Sequence, residues 1–399
     1  MRCESVLLVL WLAAAVAVAA PLPAVKSVAV RDGRLLVNDR PFFPVGIYHV
    51  GHWHKALPEA GARGFNVAQV YGSTPQSLRQ DIDDAFAAGL YAAVALNGQC
   101  ENPALVERLV LACRDAPGLL VWSLEDEPNI RLPEPKDKPH AERPFRLPPE
   151  KLQPIHDLIH RLDPVHPVWL NLAHGFAADH AAYRDCADIH SNDIYPVPEV
   201  ALPAVAAYGD ALAKGVPDKL RWLAIQMAPV RPQMGEKDRD PNPVEARCMS
   251  YMALVHGAAG LWYYAFNERP GGKWRASESA PARWAQWGDL TAELHSLAPL
   301  LTTPEPRQAA TVELLAGPAS GPWRYPPLHV GLRQGPDSLL MIAVNGLAEP
   351  VKARLALPMK LQAEAAVRFE NRTVRLAGGT LEDSFEPYAV HVYEIPLAK

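Results

Sequence analysis

Residues 119–129, LLVWSLEDEPN, run from an apolar segment into three consecutive carboxylates, Glu125, Asp126 and Glu127, and then Pro128. Adjacent acids behind a buried-looking segment repel one another, so the run is either a solvated loop or a site that uses the repulsion. Burial and neighbouring negative charge raise a carboxyl pKa, and an acid still protonated near neutrality is what general acid catalysis requires. Pro128 fixes the backbone after Glu127 and predicts an extended conformation for Glu127 itself. Strand alternation would carry Glu125 and Glu127 to one side and Asp126 to the other.

Such a run needs a rigid frame, and the surrounding sequence supplies one. A hairpin turned at Asp32-Gly33 leads into an apolar strand at Phe42 to Tyr48. Strand signals then recur at 65–71, 91–96, 119–124, 167–173, 187–193, 221–227 and 260–266, separated by helical patterns such as Ser77 to Ala88, Ala104 to Ala112 and 151–162. Eight near-continuous apolar strands over about 250 residues predict an α/β fold with a closed parallel (β/α)8 TIM barrel. The rival is a doubly wound open sheet, which wants a glycine-rich phosphate turn after its first strand, and IYHVGHWH is not one. From about Pro304 short strands follow one another without helices, predicting a small antiparallel β-sandwich domain. The expected division is 1–20, 21–303 and 304–399, with the sandwich read as a packing module.

Composition narrows the function classes. Apolar residues make up 49% and charged residues 21% of the 399, as in globular proteins. A net charge of -5 gives no basic field for nucleic acid and no polybasic patch for a membrane surface. The 40 prolines are scattered, which reads as stiff connections. MRCESVLLVLWLAAAVAVAA has a positive end, an apolar run and an A-x-A cleavage signal at Ala17 to Ala19, the pattern of an export signal; an uncleaved anchor is the alternative. Beyond it, Cys100, Cys113, Cys186 and Cys248 have no CxxC spacing, and an oxidising compartment permits one or two disulfides that the sequence cannot pair.

In a barrel the chemistry sits at the C-terminal strand ends. There the chain offers Tyr48, His49, His52 and His54, then Gln69 and Tyr71, Asn97, the acid triplet, Asn171 and His174. His190, Asn192, Asp193 and Tyr195 follow, then Gln226, and last Tyr264, Asn267 and Glu268. Hydrogen-bonding groups beside flat apolar rings suit sugars, which present both hydroxyls and C–H faces. Trp53, Trp262 and Trp274 are candidate platforms, or else core and rim packing.

WSLEDEPN at the fourth strand resembles the W-x-x-x-N-E-P signature of retaining glycoside hydrolases of the large (β/α)8 clan A. PFFPVGIYH, GFNVAQVYG, DIYP and RCMSYMALVHGAAGLWYYAF follow that clan's order along the barrel, and many of its members carry a C-terminal β-sandwich. The resemblance implies Glu127 as acid/base, Asp126 in place of the Asn that contacts the sugar 2-hydroxyl, and a carbohydrate substrate with no organic cofactor. It also exposes a departure. The clan's nucleophile is a Glu ending strand seven, and here RWLAIQMAP places Gln226 at that position.

The second carboxylate is then sought at Asp193 or Glu268, about 5 Å from the first for retention or about 6.5–9.5 Å for inversion. Asp193 also reads as a turn residue before Tyr195-Pro196, and Glu268 as a solvated acid ahead of Arg269-Pro270-Gly271-Gly272. If neither serves, the chain is a non-catalytic carbohydrate-binding barrel. A metal-dependent hydrolase is the other alternative, because His52-Trp53-His54 resembles the HxH pair of amidohydrolase barrels, with His174 and His190 on later strands. That site wants an Asp after strand eight, where Asn267 and Glu268 stand instead.

Overall fold

The computed structural model describes residues 22–50, 56–139, 142–230, 234, 237–265, 267–268, 275–276, 281–306 and 308–397. Residues 1–21, where the export signal is expected, and His52, Trp53, His54 and Trp274 lie outside these.

A small antiparallel sheet of β1 (Val28–Arg31), β2 (Arg34–Val37) and β3 (Arg40–Phe42) comes first. Asp32 and Gly33 both take positive φ (52° and 69°), the two-residue turn whose twist matches a hairpin. Eight parallel strands then close into a barrel: β4 (Val45–Ile47), β5 (Val67–Tyr71), β6 (Tyr91–Ala95), β7 (Leu119–Ser123), β8 (Val168–Leu172), β9 (Ile189–Ile194), β10 (Leu220–Gln226) and β11 (Leu261–Tyr264). Closure is made by β11 pairing with both β10 and β4. The predicted strands are present within a few residues.

Helices α1 (Leu57–Ala62), α2 (Pro75–Ala87), α3 (Pro103–Cys113), α4 (Pro149–Leu162), α5 (Ala177–Ala182), α6 (Ala204–Gly215), α7 (Pro243–Val255) and α8 (Pro281–Leu301) cover the outside. Part of the proline excess is explained by their starts. Thr74-Pro75, Asn102-Pro103 and Asn242-Pro243 each set a capping side chain before a proline at the first helical position, where a missing N–H is harmless.

Two apolar layers hold the barrel. The outer one packs strands against helices, and the inner one stacks Trp169, Trp222 and Trp262 on the barrel axis. Trp169 and Trp262 lie 4.4 Å apart and nearly parallel. Gly46 makes this possible, since a Cβ there would sit 2.4 Å from the Trp262 ring. A buried ring of this size contributes about 3–5 kcal/mol relative to alanine. Leu35 and Val37 of the hairpin join the same layer and close the N-terminal end, leaving the strand C-termini open.

The C-terminal strands form two sheets over a shared apolar core. One is β14 (Thr311–Ala316), β17 (Val351–Ala356) and β20 (Thr380–Phe385); the other is β15 (Leu328–Gln334), β16 (Ser338–Asn345), β18 (Ala363–Arg368), β19 (Arg372–Leu376) and β21 (Val390–Pro396). β12 (Asn267–Glu268) and β13 (Arg275–Ala276) form a separate two-stranded hairpin. β20 carries no apolar run to mark it in the sequence, since its TLEDSF is polar except at Leu381 and Phe385. β16 is apolar throughout because both faces are covered: Leu339, Met341 and Ala343 face the sandwich core, while Leu340, Ile342 and Val344 pack on the barrel layer that contains α7. Cys100, Cys113, Cys186 and Cys248 are buried free thiols, so the permitted disulfides do not form among the described residues. No helix among those residues is long and apolar enough to cross a membrane.

Candidate active site

A cavity of about 540 Å3 opens at the C-terminal ends of the barrel strands. Asp126, Glu127, Asn171, His174, Asp193, Tyr48, Tyr195 and Tyr264 line it, each from the end of a barrel strand or the loop just past it. The three acids of the sequence motif separate here, in a way that differs from strand alternation. Glu125 turns away from the cavity: one carboxylate oxygen accepts from the Gly98 N–H (2.7 Å) and the other pairs with Arg146 (2.9 Å). Asp126 and Glu127 both face the cavity.

The cause is that β7 ends at Ser123, and Glu127 takes a left-handed backbone with φ +46° instead of the extended form expected before proline. A non-glycine residue in that region is strained and must be held by its surroundings. Asn129 supplies part of the hold, its amide bridging the Ala173 N–H (2.8 Å), the Ala173 carbonyl (2.6 Å) and Asp179 (3.0 Å). The Glu127 N–H also donates to the Asn171 carbonyl (3.1 Å).

The side chains of Glu127 and Asp193 meet in a hydrogen bond, and Tyr195 lies beside Asp193. Burial, then the charge and hydrogen bond of Glu127 and the charge of Asp126, hold Asp193 well above the usual carboxylate range. Burial and the charge of Glu127 push Asp126 up to about 7, against the opposing pull of Asn171 and Arg146. Asn171 is oriented by a chain of donors: Trp169 Nε1–H donates to Ser191 Oγ (2.7 Å), whose hydroxyl donates to Asn171 Oδ1 (2.7 Å). The amide Nδ2 is thereby left to donate to Asp126 Oδ1 (3.2 Å).

Tyr48, 3% exposed, lines the same cavity and its hydroxyl has no hydrogen-bond partner. Tyr195 stacks on Tyr264 at 5.1 Å. His49 (φ +65°) touches the Tyr264 ring at 4.9 Å and Tyr71 at 6.1 Å, and Tyr71 donates to Gln69, so His49 and Tyr71 support the cavity wall from behind.

Other predicted site residues lie elsewhere. Gln226 is fully buried and its amide is consumed: Oε1 accepts from the Val197 N–H (2.8 Å), and Nε2 donates to the carbonyls of Val197 (2.9 Å) and Ala228 (3.2 Å). It braces the loop after β9 and does not line the cavity. His190 points outward from the barrel because Ser191 and Asp193 take the inward positions of β9; it is fully buried against the Arg184 carbonyl, and burial pushes its pKa down to about 4. Trp262 is fully buried beneath Tyr48, part of the barrel filling and not a platform open to ligand. Asn97 is half-buried just past β6 and outside the cavity lining. The backbone of Glu268 lies in β12, and its side chain is outside the described residues.

Two aromatic cavity residues carry no signal in the sequence: Tyr208 of α6 and Trp323. Trp323, from the turn at Pro322–Arg324 before β15, lines the cavity while 54% exposed. Trp323 and Arg324 both have positive φ (53° and 64°), which presents the indole outward. Next to them Tyr325 donates to Asp210 of α6 (2.7 Å), Asp210 bonds His256 (2.6 Å), and His256 bonds His329 (2.9 Å). This network seats the C-terminal turn against the barrel, so the sandwich does more than pack.

Comparison with known proteins finds a family match over part of the chain and a shared barrel fold. The glycoside hydrolase 42 family model, described as β-galactosidase, matches residues 151–290, a stretch that includes Asp193 and Gln226 but not Glu127. The fold is similar to that of the β-galactosidase from Bacillus circulans sp. alkalophilus, at 10% identity and TM-score 0.59 over 89% of this chain and 98% of that one. A catalytic mutant of Gan42B, a β-galactosidase of the same family from G. stearothermophilus, superposes at 10% identity and TM-score 0.55, with the same coverage of 89% and 98%. The α-amylase from Geobacillus thermoleovorans in complex with acarbose gives 13% identity and TM-score 0.53, covering 88% and 92%. No curated protein sequence matches the chain.

Proposed function

We propose that the chain is an exported glycoside hydrolase whose working carboxyl pair is Glu127 and Asp193. The observation that carries this is their direct hydrogen bond at the wall of a cavity lined by tyrosines and Trp323. Two acids in contact at low dielectric hold one proton between them, and burial favours keeping it on Asp193. Asp193 then serves as the proton donor, a role that the strand-four motif gives to Glu127. A sugar bound at this cavity would lie against both carboxyls, and their separation with substrate in place, roughly 5–5.5 Å or 6.5–9.5 Å, would set retention or inversion. Asp126, held by Asn171, and the free Tyr48 hydroxyl are placed to bind sugar hydroxyls. Tyr195, Tyr264 and Trp323 supply apolar faces for the ring.

Gln226 supports a second reading. With its amide spent on the backbone, strand seven gives the cavity no carboxylate, as in a barrel that binds carbohydrate without cleaving it. Turnover of aryl glycosides and polysaccharides by wild type and Glu127→Gln separates the two. Aryl β-galactosides come first, because the family model over residues 151–290 is that of β-galactosidases. Hydrolysis lost in the variant supports catalysis. Sugar binding with no turnover of any substrate overturns it. Export is tested by N-terminal sequencing of the mature protein, which should begin at Ala20 or Pro21.

A further inference from the structure

At the opposite end of the barrel, two histidines of α4 converge on one carboxylate. His156 and His160 are separated by four residues, so they share a face of the helix. Both aim Nε2 at Asp188, which immediately precedes β9: His160 lies 2.8 Å from Oδ2 and His156 3.8 Å from Oδ1. The Val168 N–H, at the start of β8, donates to the same Oδ2 (2.8 Å) and fixes the carboxylate in place. One potential ligand atom from each of the three residues lies within 4.8 Å of the others.

The His156 ring carries the argument further. Its Nδ1 is 3.0 Å from the Asp157 carboxylate, an acceptor only, so Nδ1 bears the proton. In the neutral imidazole the lone pair is then on Nε2. That atom is buried without a hydrogen-bond partner and faces another acceptor at 3.8 Å, too far for a hydrogen bond. A cation in that gap, whether a second proton on Nε2 or a metal ion, satisfies both groups. A carboxylate on the far nitrogen is also how metal-binding histidines are commonly oriented.

We propose that His156, His160 and Asp188 form a binding site for a divalent transition metal of the zinc class. Two imidazoles and one carboxylate are a donor set suited to zinc, cobalt or nickel, with remaining positions left to water. Zinc ligands at about 2.0–2.1 Å in tetrahedral array stand about 3.4 Å apart, so His156, at 3.8 Å from Asp188, must move inward and the 2.8 Å His160–Asp188 pair must open. The site ties α4 to the starts of β8 and β9, far from the cavity, and its metal acts on the frame and not on the substrate. Asp157 is a positioning residue.

The test uses the full chain without a histidine tag, stripped with chelator and titrated with zinc by calorimetry and with cobalt by visible absorption. One equivalent should bind to wild type and raise its Tm. His160→Ala should weaken zinc binding at least tenfold, and the double variant His156→Ala/His160→Ala should lose it along with the Tm increment. Asp157→Asn keeps the fold and should weaken binding about 10- to 100-fold. Metal-free Tm and circular dichroism of each variant distinguish lost binding from lost folding. No binding by wild type, or undiminished binding by the folded double variant, overturns the proposal.

Discussion

Glu127 and Asp193 share a hydrogen bond although one lies beyond β7 and the other within β9, two strands further around the barrel. The left-handed turn at Glu127 brings it across the end of β8, where Asn171 receives its N–H. A shared proton makes the pair a unit, so their substitutions should not add. Glu127→Gln and Asp193→Asn should each lower kcat about 100- to 10,000-fold, and the double variant should be little worse than the more damaging single one. Turnover measured on the best aryl glycoside decides this. Full activity in either single variant would remove the pair from the mechanism.

Asp126 carries a stability signature. Its folded pKa of about 7 lies above the ordinary 3.8, so between these values the folded state binds more protons than the unfolded one. The contribution is fully present below pH 3.8 and is lost as pH rises through about 7, at up to about 1.4 kcal/mol per pH unit within the window. Asp126→Asn keeps an oxygen for Asn171 and does not ionise. Wild type should therefore lose more Tm than the variant between pH 5 and pH 8. Parallel melting curves across that range would expose the idea as wrong.

Tyr48 offers a way to separate binding from folding. Its hydroxyl is buried with no partner, so Tyr48→Phe removes an unsatisfied polar atom and should leave stability unchanged or raised by about 1 kcal/mol. If that hydroxyl serves the ligand, the same change should raise KM about tenfold, the worth of one hydrogen bond. A drop in Tm with unaltered KM would mean that the hydroxyl bonds within the protein.

Much of the frame was legible because its signals are local. Apolar runs marked all eight barrel strands, and Asp32-Gly33 marked its hairpin. The candidate carboxylates Glu127 and Asp193 were likewise visible from their places at strand ends. What failed depended on the direction of single side chains. Period-two alternation along β9 would have set His190 apart from Asp193, as the inward Ser191 shows. Gln226 has inward parity with Trp222 and Ala224, yet the loop at Val197 captures it, and no local pattern announces that capture. Trp323 depends on a left-handed turn and on the seating of a distant sheet, which alternation and propensity do not encode.

Trp323 should act on substrate affinity and not on the fold. More than half of its surface is exposed, so Trp323→Ala should change stability by no more than about 0.5 kcal/mol. Loss of an aromatic face worth about 0.5–1.5 kcal/mol should raise KM about 2- to 12-fold while kcat holds. Steady-state kinetics read the split directly. A fall in kcat at constant KM would give the indole a part in the chemical step.

Gln226 yields the sharpest contrast between position in a motif and position in space. If strand seven merely lacked its acid, Gln226→Glu would supply one and turnover should rise. The hydrogen bonds argue otherwise, because an ionised carboxylate at this position keeps the Val197 N–H but turns an oxygen towards the carbonyls of Val197 and Ala228. Two donor bonds vanish and buried acceptors confront one another, at about 1–3 kcal/mol for each group left unpaired. The variant should unfold about 2–6 kcal/mol more easily and be no more active than wild type, its new carboxylate held against the backbone. Denaturant titration and turnover test both halves. A stable, faster Gln226→Glu enzyme would show that this side chain can swing into the cavity, and would return strand seven to the catalytic centre.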